Sequence, residues 1–372
     1  MIIKHTICPS CSVGCGINLI NINEEVLGTY PFKKHPVNEG KNCIKGRDCF
    51  EIINNQNRIK NPLIRKNNNL VESNWDNAIH LIAKNMAKYS NNEIGLIASG
   101  NSTNEELEAI RNFAKKQGIK NLGYFMGNLP KYLGDIASLD EINHADFIFV
   151  IGDVLKDNPL IGRRIIIAKE NGVEILGVDT VNNSITQINS TQYIKTDSIS
   201  QFLEKNSSEF LDKLTESSVI LFNKLDEKND IEKILELSKE KKSKIMPVFK
   251  DCNSKGAMNY FLPLNSQELE TLIDNVKVLL VFQDDTASYI RSLAFKGLDF
   301  LAVTASSSNK TTDLADVVLP GTCWAEKDGS FTNTVGTQQM FSRAVLAPEG
   351  ILDDAVIIQK IDEQLNNSQV KK

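Results

Sequence analysis

The amino-acid sequence predicts an α/β fold with mainly parallel sheets. Two observations support this: short apolar runs such as residues 147–151 and 219–222, and the helical segments that alternate with them. Strands without polar alternation are expected where helices cover both faces of a sheet. A third observation is a group of cysteines among short segments separated by Gly and Pro, which sets residues 1–60 apart as a small N-terminal cap.

The alternation of helices and strands begins near residue 74. A helix is expected from Trp75 to about Tyr89, followed by a strand over residues 94–98. The next helix should begin at the capping box of residues 103–106 and end at Gly118, where a left-handed residue is favoured. The series continues with expected strands and helices at residues 147–151, 161–171 and 173–178.

A weakly patterned polar stretch from residue 180 to about 218 separates this series from a second one. The second series has expected elements at residues 219–222, 231–241, 245–248, 276–282, 288–296 and 300–304. Because the strands fall into two groups and no eightfold repeat is evident, two Rossmann-like lobes are favoured over one long barrel. We expect the cap in residues 1–60, a first lobe in 61–200 and a second in 201–372.

Composition limits the classes of function. With 372 residues, 41% of them hydrophobic, the chain can bury the cores of two or three domains. Its 42 Lys and Arg are outweighed by 47 Asp and Glu, which argues against a general nucleic-acid surface. No apolar stretch reaches the ~18–20 residues of a spanning helix, and no apolar or twin-arginine signal precedes the cysteines. The sequence thus predicts a cytoplasmic chain without direct membrane insertion.

Four cysteines indicate a metal site. Cys8, Cys11 and Cys15 have C-x2-C-x3-C spacing, and Cys43 follows 28 positions later. Thiolates spaced in this way can point at one centre from a tight loop, so a 4Fe–4S cluster is the favoured interpretation. Structural zinc is the alternative, although zinc ribbons usually present two separated C-x2-C knuckles. Disulfides are less favoured in a reducing compartment.

Three further cysteines are left over. Cys49 is close enough in sequence to serve as a substitute ligand. Cys252 and Cys323 are expected to be small buried hydrophobes or inert thiols. Lys45, two positions after Cys43, could raise the reduction potential of a cluster and connect it to a second cofactor, or lie in a solvated basic turn. The local sequence does not decide between these two interpretations.

The cysteine segment, with residues 58–65 and 73–79, resembles the start of the molybdopterin oxidoreductases. It is most similar to the catalytic subunit of prokaryotic formate dehydrogenases and to the related large iron–sulfur subunit of respiratory complex I. Residues 145–165 resemble the strand, loop and helix that hold the family's pterin dinucleotide, and residues 315–334 resemble its late motif. These matches occur in the family's order.

The resemblance implies a 4Fe–4S cluster and a molybdopterin or tungstopterin guanine dinucleotide. It implies cofactor contacts from ten residues: Lys45, Gly152, Asp153, Asn158, Asp179, Glu326, Lys327, Asp328, Gly329 and Asn333. Gly152 would allow a sharp turn at the carboxyl end of a strand, where α/β sheets bind nucleotides. Taken singly, these residues are ordinary features of turns.

The sequence departs from the resemblance at two functional positions. The family's formate dehydrogenases carry a cysteine or selenocysteine, followed by histidine, in the segment that corresponds to residues 118–145. This segment has no cysteine, and its only histidine, His144, is expected to have a capping or surface role. Phe249, with Lys250 beside it, occupies the place of a family arginine upstream of residues 253–257. A lysine supplies charge but not a bidentate fork.

The sequence therefore predicts an electron-transferring iron–sulfur subunit of formate-dehydrogenase type, and no catalytic residue is assigned. Formate oxidation by this chain alone is not expected. The alternative is a non-catalytic assembly subunit that has lost the pterin. Family members continue past the late motif into a β-rich closing domain, whereas this chain ends soon after Asp354. The expected partners are other redox subunits. Either a separate chain supplies that domain or the cofactor site is incomplete.

Overall fold

The computed structural model describes residues 2–22, 25–129, 136–182, 184–205, 210–225 and 227–369. The strands are β1 Ile2–Ile7, β2 Gly16–Ile22, β3 Glu25–Pro31, β4 Leu63–Lys66, β5 Asn69–Glu72, β6 Ile94–Ala98, β7 Asn121–Phe125, β8 Phe147–Ile151, β9 Glu174–Asp179, β10 Gln192–Lys195, β11 Val219–Phe222, β12 Lys244–Pro247, β13 Pro263–Leu264, β14 Val278–Phe282, β15 Phe300–Ala305, β16 Val317–Pro320, β17 Gly329–Thr332 and β18 Gln338–Phe341.

The α-helices are α1 Ile44–Asp48, α2 Trp75–Met86, α3 Asn104–Gln117, α4 Leu139–His144, α5 Val154–Asp157, α6 Pro159–Glu170, α7 Ile185–Asn189, α8 Ile199–Lys205, α9 Lys228–Lys241, α10 Ser254–Ala257, α11 Ser266–Asp274, α12 Lys310–Leu314 and α13 Asp354–Gln369. Short 3₁₀ helices span Cys49–Ile52, Asn91–Glu93, Leu211–Lys213, Thr286–Ser288, Ser292–Gly297 and Trp324–Glu326. Within the described ranges, no helix is both long and apolar enough to cross a membrane.

The fold is mixed α/β, with two large and mainly parallel sheets behind a small cap, as the sequence predicts. The cap is an antiparallel sheet of β1, β2 and β3. Ile17 and Leu19 of its central strand are fully buried. The alternating inward side chains of β2 thus give the cap a small core of its own.

The larger sheet has eight strands in the order β13-β7-β6-β14-β15-β16-β4-β5. Its first six strands are parallel, and the β4–β5 hairpin pairs antiparallel at one edge. Every residue of β14 and β15 is buried. These central strands read as continuous apolar runs because both faces of the sheet are covered.

The second sheet has five parallel strands in the order β10-β9-β8-β11-β12. All of them lie between residues 147 and 247, whereas the eight-stranded sheet takes strands from both before and after this region. The expected division of the lobes at residue 200 is therefore not where the sheets divide. The polar stretch does not separate two lobes, because it contains β10, which pairs with β9 at the edge of the same sheet.

Local signals placed several helix ends correctly. The Thr103 side chain accepts a hydrogen bond from the Glu106 amide at the start of α3, and Gly118 ends that helix with φ +69°. The helix expected over residues 288–296 is wrong. The chain forms two 3₁₀ helices there because it becomes extended at Arg291, with ψ 137° between them. The Arg291 side chain is instead hydrogen-bonded to Glu270.

The cysteine loop of the cap is anchored to the body of the protein. The Phe249 amide donates to Ser12 Oγ over 2.8 Å, and the Thr334 amide donates to Ser12 O over 2.7 Å. Nearby, Trp324 Nε1 donates to Ile7 O over 2.8 Å. The loop is thus held against the segment after β12 and against the β17–β18 hairpin.

Candidate metal and cofactor site

The structure brings the four predicted metal ligands together. Cys8, Cys11, Cys15 and Cys43 line one narrow cavity below the cap. The first three cysteines are buried, and Cys43 is partly exposed. The loop closes on itself because the Cys8 amide donates to Cys15 O over 2.8 Å.

Local geometry explains how the loop and the distant fourth cysteine meet. Gly14 has φ +78°, and a Cβ there would lie 2.8 Å from the Asn333 Cβ, so this turn requires glycine. Helix α1 begins directly after Cys43 and lies over the loop, where Ser10 Oγ donates to Lys45 O over 3.3 Å. Thr29 Oγ1 fixes the other side of α1 by donating to Gly46 O over 2.8 Å.

The thiols differ in acidity. Burial raises the pKa of Cys11 to about 11 and raises that of Cys15 well above its ordinary value. A hydrogen bond with Cys49 lowers the pKa of Cys8 to about 7. Cys49, which the sequence suggested as a substitute ligand, thus contacts Cys8, and its Sγ lies 3.3 Å from Gly46 O. Since metals bind thiolates, loading this site must release protons from buried thiols.

The four thiols around this cavity match the donor set of an iron–sulfur cluster. In an iron–sulfur cubane each thiolate binds a different iron atom, so four thiols around a cavity are the required arrangement. The cavity between them has a volume of about 10 Å³, which is room for about one water molecule.

A second, much larger cavity of about 960 Å³ lies beside the cysteines. It is lined by the loops that follow β7, β8, β11, β12 and β13, at the carboxyl ends of both sheets. In the five-stranded sheet, β8 and β11 are neighbours, and the chain continues from them in opposite directions. Ligands of α/β proteins bind at such a switch point.

Lys45 and Asn158 join the two cavities. Lys45 lines the large cavity, and its ammonium donates to Asp157 O over 2.6 Å. Asn158 lines both cavities, and its side chain hydrogen-bonds Cys11. Two of the ten predicted cofactor residues therefore lie between the thiols and the large cavity.

The large cavity has polar groups that suit a pterin. Within the described part of the chain, Asn158 Oδ1 and Asn223 Oδ1 are buried and have no hydrogen-bond partner. Both residues line the cavity, and a pterin carries several N–H donors that such acceptors could bind. Gly152 has φ +81°, and a Cβ there would lie 2.9 Å from Asn223 Oδ1. Glycine thus keeps this corner of the cavity open.

The other predicted residues of this sheet serve the backbone. The Asp153 carboxylate accepts from the Thr186 amide over 3.0 Å and thereby holds the start of α7. Asp179 ends β9, and its Oδ1 accepts from the Thr180 amide over 2.7 Å. Both carboxylates lie at the carboxyl edge of the sheet, but neither lines the large cavity.

The late-motif residues are also outside the lining of the large cavity. Glu326 forms a buried ion pair with Arg58, and Lys327 forms one with Glu106 at 2.5 Å. The remaining three take part in local structure: Asp328 accepts from the Arg343 amide, Gly329 allows close approach to Thr103, and Asn333 is buried in the turn between β17 and β18. In the structure, this motif connects the hairpin to α3 and to the chain near residue 58.

The structure also shows where the residues lie at which the sequence departs from the resemblance. His144 is exposed at the end of α4 and pairs with Asp140, as expected for a surface role. Phe249 is fully buried, while Lys250 lines the large cavity, with its ammonium 4.9 Å from the centre of the Tyr289 ring. Residues 125–129 of the segment without cysteine line the same cavity, and residues 130–135 lie outside the described part.

Sequence reasoning missed two acids near Lys250, the partly buried Asp251 and the buried Asp284. Asp251 lines the large cavity, and burial raises its pKa. Burial also raises the pKa of Asp284 to about 7. Asp284 follows β14, which neighbours β6 at the switch point of the eight-stranded sheet. The only sequence signal was a pair of aspartates after an apolar run, and its meaning depended on the strand order.

Comparison with known families gives two matches that together span nearly the whole chain. Residues 1–55 match the family described as Molybdopterin oxidoreductase Fe4S4 domain. Residues 58–218 and 220–364 match the family described as Molybdopterin oxidoreductase.

Curated proteins similar to this chain include alpha subunits of F420-dependent formate dehydrogenases. The chain is 30% identical over 475 aligned positions to the F420-dependent formate dehydrogenase subunit alpha of Methanocaldococcus jannaschii, covering 98% of this chain and 70% of the relative. It is 27% identical over 474 positions to the F420-dependent formate dehydrogenase 2 subunit alpha of Methanococcus maripaludis, with the same coverage. Since this chain has only 372 residues, both relatives carry residues inside the matched region that it lacks.

A solved structure shares the fold. The acetylene hydratase from Pelobacter acetylenicus superimposes with a TM-score of 0.76, covering 98% of this chain and 70% of that chain. The two sequences are 14% identical, so this likeness concerns the fold alone.

Proposed function

Because the chain belongs to the molybdopterin oxidoreductase family, whose formate dehydrogenases include its relatives, we propose that it is the electron-transferring iron–sulfur subunit of a formate-dehydrogenase-type complex. The matched domains indicate a 4Fe–4S cluster and a molybdopterin cofactor. In the proposal, Cys8, Cys11, Cys15 and Cys43 bind the cluster and the large cavity receives the cofactor.

One observation carries the proposal. Lys45 and Asn158 lie between the cysteines and the large cavity, and each contacts a group on the other side of this boundary. When bound, the pterin and its metal would supply two-electron chemistry and the cluster a one-electron relay. Lys45 would place a positive charge between them, and Asn158 would orient Cys11 while offering its Oδ1 to the cofactor.

We do not assign formate oxidation to this chain alone. Residues 118–145 contain no cysteine to bind the pterin's metal, and the buried Phe249 takes the place of the family's arginine. Lys250 supplies a charge at the cavity wall, but it cannot form the paired hydrogen bonds that a guanidinium gives a carboxylate. Formate chemistry in the complex would therefore depend on groups from other subunits.

Purification without air, together with copurifying partners, tests the proposal. Iron, acid-labile sulfide, molybdenum, tungsten and pterin should be measured in the same preparation. We expect about four irons per chain, together with pterin. Zinc in place of iron would eliminate the redox role.

A matched pair of variants tests the ligand assignment. Cys11→Ser should abolish the low-temperature paramagnetic signal of the reduced cluster, because serine is a poor substitute for an iron-bound thiolate. Cys323 is also buried, and Cys323→Ser should preserve the signal. Equal loss in both variants would contradict the assignment.

The alternative is a non-catalytic assembly subunit without pterin. It is favoured by Glu326 and Lys327, whose charges are used in buried ion pairs within the chain. About four irons with no pterin and no molybdenum or tungsten would support this alternative, with the cluster as a simple relay.

A further inference from the structure

A surface concavity of about 550 Å³ lies beside Cys43, the proposed cluster ligand that is not buried. Three cationic side chains line it: Lys41, Arg47 and Arg163. Among the described residues, no carboxylate lines it. This is notable in a chain whose net charge is −5, because it makes the surface beside the cluster locally basic.

Neighbouring acids reduce this charge without cancelling it. Glu39 lies 3.6 Å from Arg163 and 2.7 Å from Arg164, so it offsets one of these two guanidinium groups. Asp48 is exposed at the end of α1. The buried Arg164 pairs with Glu39, so the three cations that line the concavity, Lys41, Arg47 and Arg163, stand against Asp48.

Exposed apolar side chains accompany the cations. Ile44, directly after Cys43, is 59% exposed, and Leu27 on the adjacent β3 is 54% exposed. Protein–protein interfaces combine apolar side chains with charged ones, among which Arg is enriched. We call the surface formed by Leu27, Lys41, Ile44, Arg47 and Arg163 the Cys43 face.

We propose that the Cys43 face docks an acidic redox protein that exchanges electrons with the cluster. This inference rests on the proposed function, because it requires a cluster at the cysteines. In each transfer the reduced cluster would lose one electron, and an oxidised one-electron centre of the partner would gain it. No proton is transferred, and no covalent bond forms or breaks.

The position of the face supports this direction of transfer. On one side of the cysteines, Lys45 and Asn158 lead to the large cavity. The loop itself is covered by its hydrogen bonds to Phe249 and Thr334. The side at Cys43 opens to solvent, so it offers the shorter route to an external partner. An acidic partner would be attracted to this face, and the attraction would weaken as salt is added.

Stopped-flow oxidation of the dithionite-reduced holoprotein tests the inference. An acidic 2[4Fe–4S] ferredoxin in its oxidised form serves as the probe. We expect its second-order rate to fall about tenfold or more from low to high ionic strength. Lys41→Glu/Arg47→Glu should reduce the low-salt rate by about tenfold. The exposed Lys296, which is on the 3₁₀ helix before β15 and does not line the concavity, provides the control Lys296→Glu, which should leave the rate unchanged.

The basic carrier cytochrome c is the probe of opposite charge, and its reduction should be faster in the double variant than in the native protein. Iron, sulfide and the paramagnetic signal are measured first in every sample. Absence of the cluster from the native protein would defeat the proposed function. An intact cluster with equal ferredoxin rates in the native protein and the double variant would overturn the docking inference alone. Should the charge reversals cost the cluster, Lys41→Gln/Arg47→Gln applies the same test with neutral side chains.

Discussion

The Lys45 ammonium donates a hydrogen bond to the Asp157 carbonyl oxygen over 2.6 Å. The contact joins α1 of the cap to the end of α5 and lies between the cysteines and the large cavity. The sequence alone did not decide whether Lys45 has a redox role or lies in a solvated turn. Its side chain is exposed, yet its ammonium binds a specific backbone oxygen.

Replacing Lys45 should shift the cluster potential. Lys45→Met removes a positive charge near the thiolates, so the reduced cluster is less stabilised and its potential should fall by on the order of 30 mV. Lys45→Arg keeps the charge and should stay close to the native value. Redox titration followed by the paramagnetic signal measures both, and an unchanged potential in Lys45→Met would mean that the charge is screened by solvent.

Removing the charge of Lys327 should destabilise the fold. The side chains of Lys327 and Glu106 are only 6% and 4% exposed, so Lys327→Met leaves a buried carboxylate without its partner. The free energy of unfolding should fall by about 3–5 kcal/mol, and Lys327→Met/Glu106→Gln should recover much of it. Urea denaturation gives these values.

The pair of Lys116 and Asp362 is the control, with a similar distance of 2.5 Å but a lysine that is 55% exposed. Lys116→Met should cost less than about 1 kcal/mol. If Lys327→Met lost cofactor while retaining native stability, its role would be cofactor binding, as the resemblance implies.

Gly152 should be intolerant of a side chain. Alanine would have to adopt φ +81°, at a cost of about 1–2 kcal/mol, and its Cβ would also lie 2.9 Å from Asn223 Oδ1. Gly172 has φ +92° with open space around it, so Gly172→Ala carries the backbone cost alone. Thermal denaturation should show the larger loss for Gly152→Ala, and its pterin content should fall. Equal losses of thermal stability in the two variants would show that the Asn223 side chain moves aside at little cost.

Asp284 should make stability depend on pH. Burial raises its pKa to about 7 in the folded protein, against about 3.9 in the unfolded chain. The folded state holds the proton more tightly, so this contribution is complete below about pH 4 and is lost as pH rises through 7. Asp284→Asn should reduce the decrease in the free energy of unfolding as pH rises, and should stabilise the protein at pH 8 by on the order of 2 kcal/mol.

Urea denaturation from pH 5 to pH 8 measures this effect. Asp313 is exposed on α12, and Asp313→Asn should keep the native pH dependence. An Asp284→Asn profile parallel to the native one would assign the slope to other groups, such as Asp354, whose pKa burial also raises to about 7.

Local signals carried most of the element assignments. The strands at residues 94–98, 147–151 and 219–222 have the predicted bounds, because each is an apolar run between polar turns. The division of the lobes was missed because β10, Gln192–Lys195, is a half-exposed edge strand with little apolar signal. Its pairing with β9, and that of β11 with β8, depends on contacts that no local pattern records.

The candidate site, too, could be predicted from the sequence only in part. The cysteine spacing predicted thiols that point at one centre, and in the structure the four cysteines line one cavity. Asp251 and Asp284 could not be singled out, since the surroundings that raise their pKa come from strands distant in the sequence. Lys250 was noted only as the neighbour of Phe249, and its place on the cavity wall follows from the fold.

The interleaved strand order has a consequence for synthesis on the ribosome. Strand β6 pairs with residues 278–281 of β14, so the eight-stranded sheet cannot form completely until those residues have been synthesised. The five-stranded sheet ends at residue 247 and can be completed first. We therefore expect the five-stranded sheet to fold before the eight-stranded one. Until β14 is available, the apolar strand β6 should need chaperones to prevent aggregation during translation.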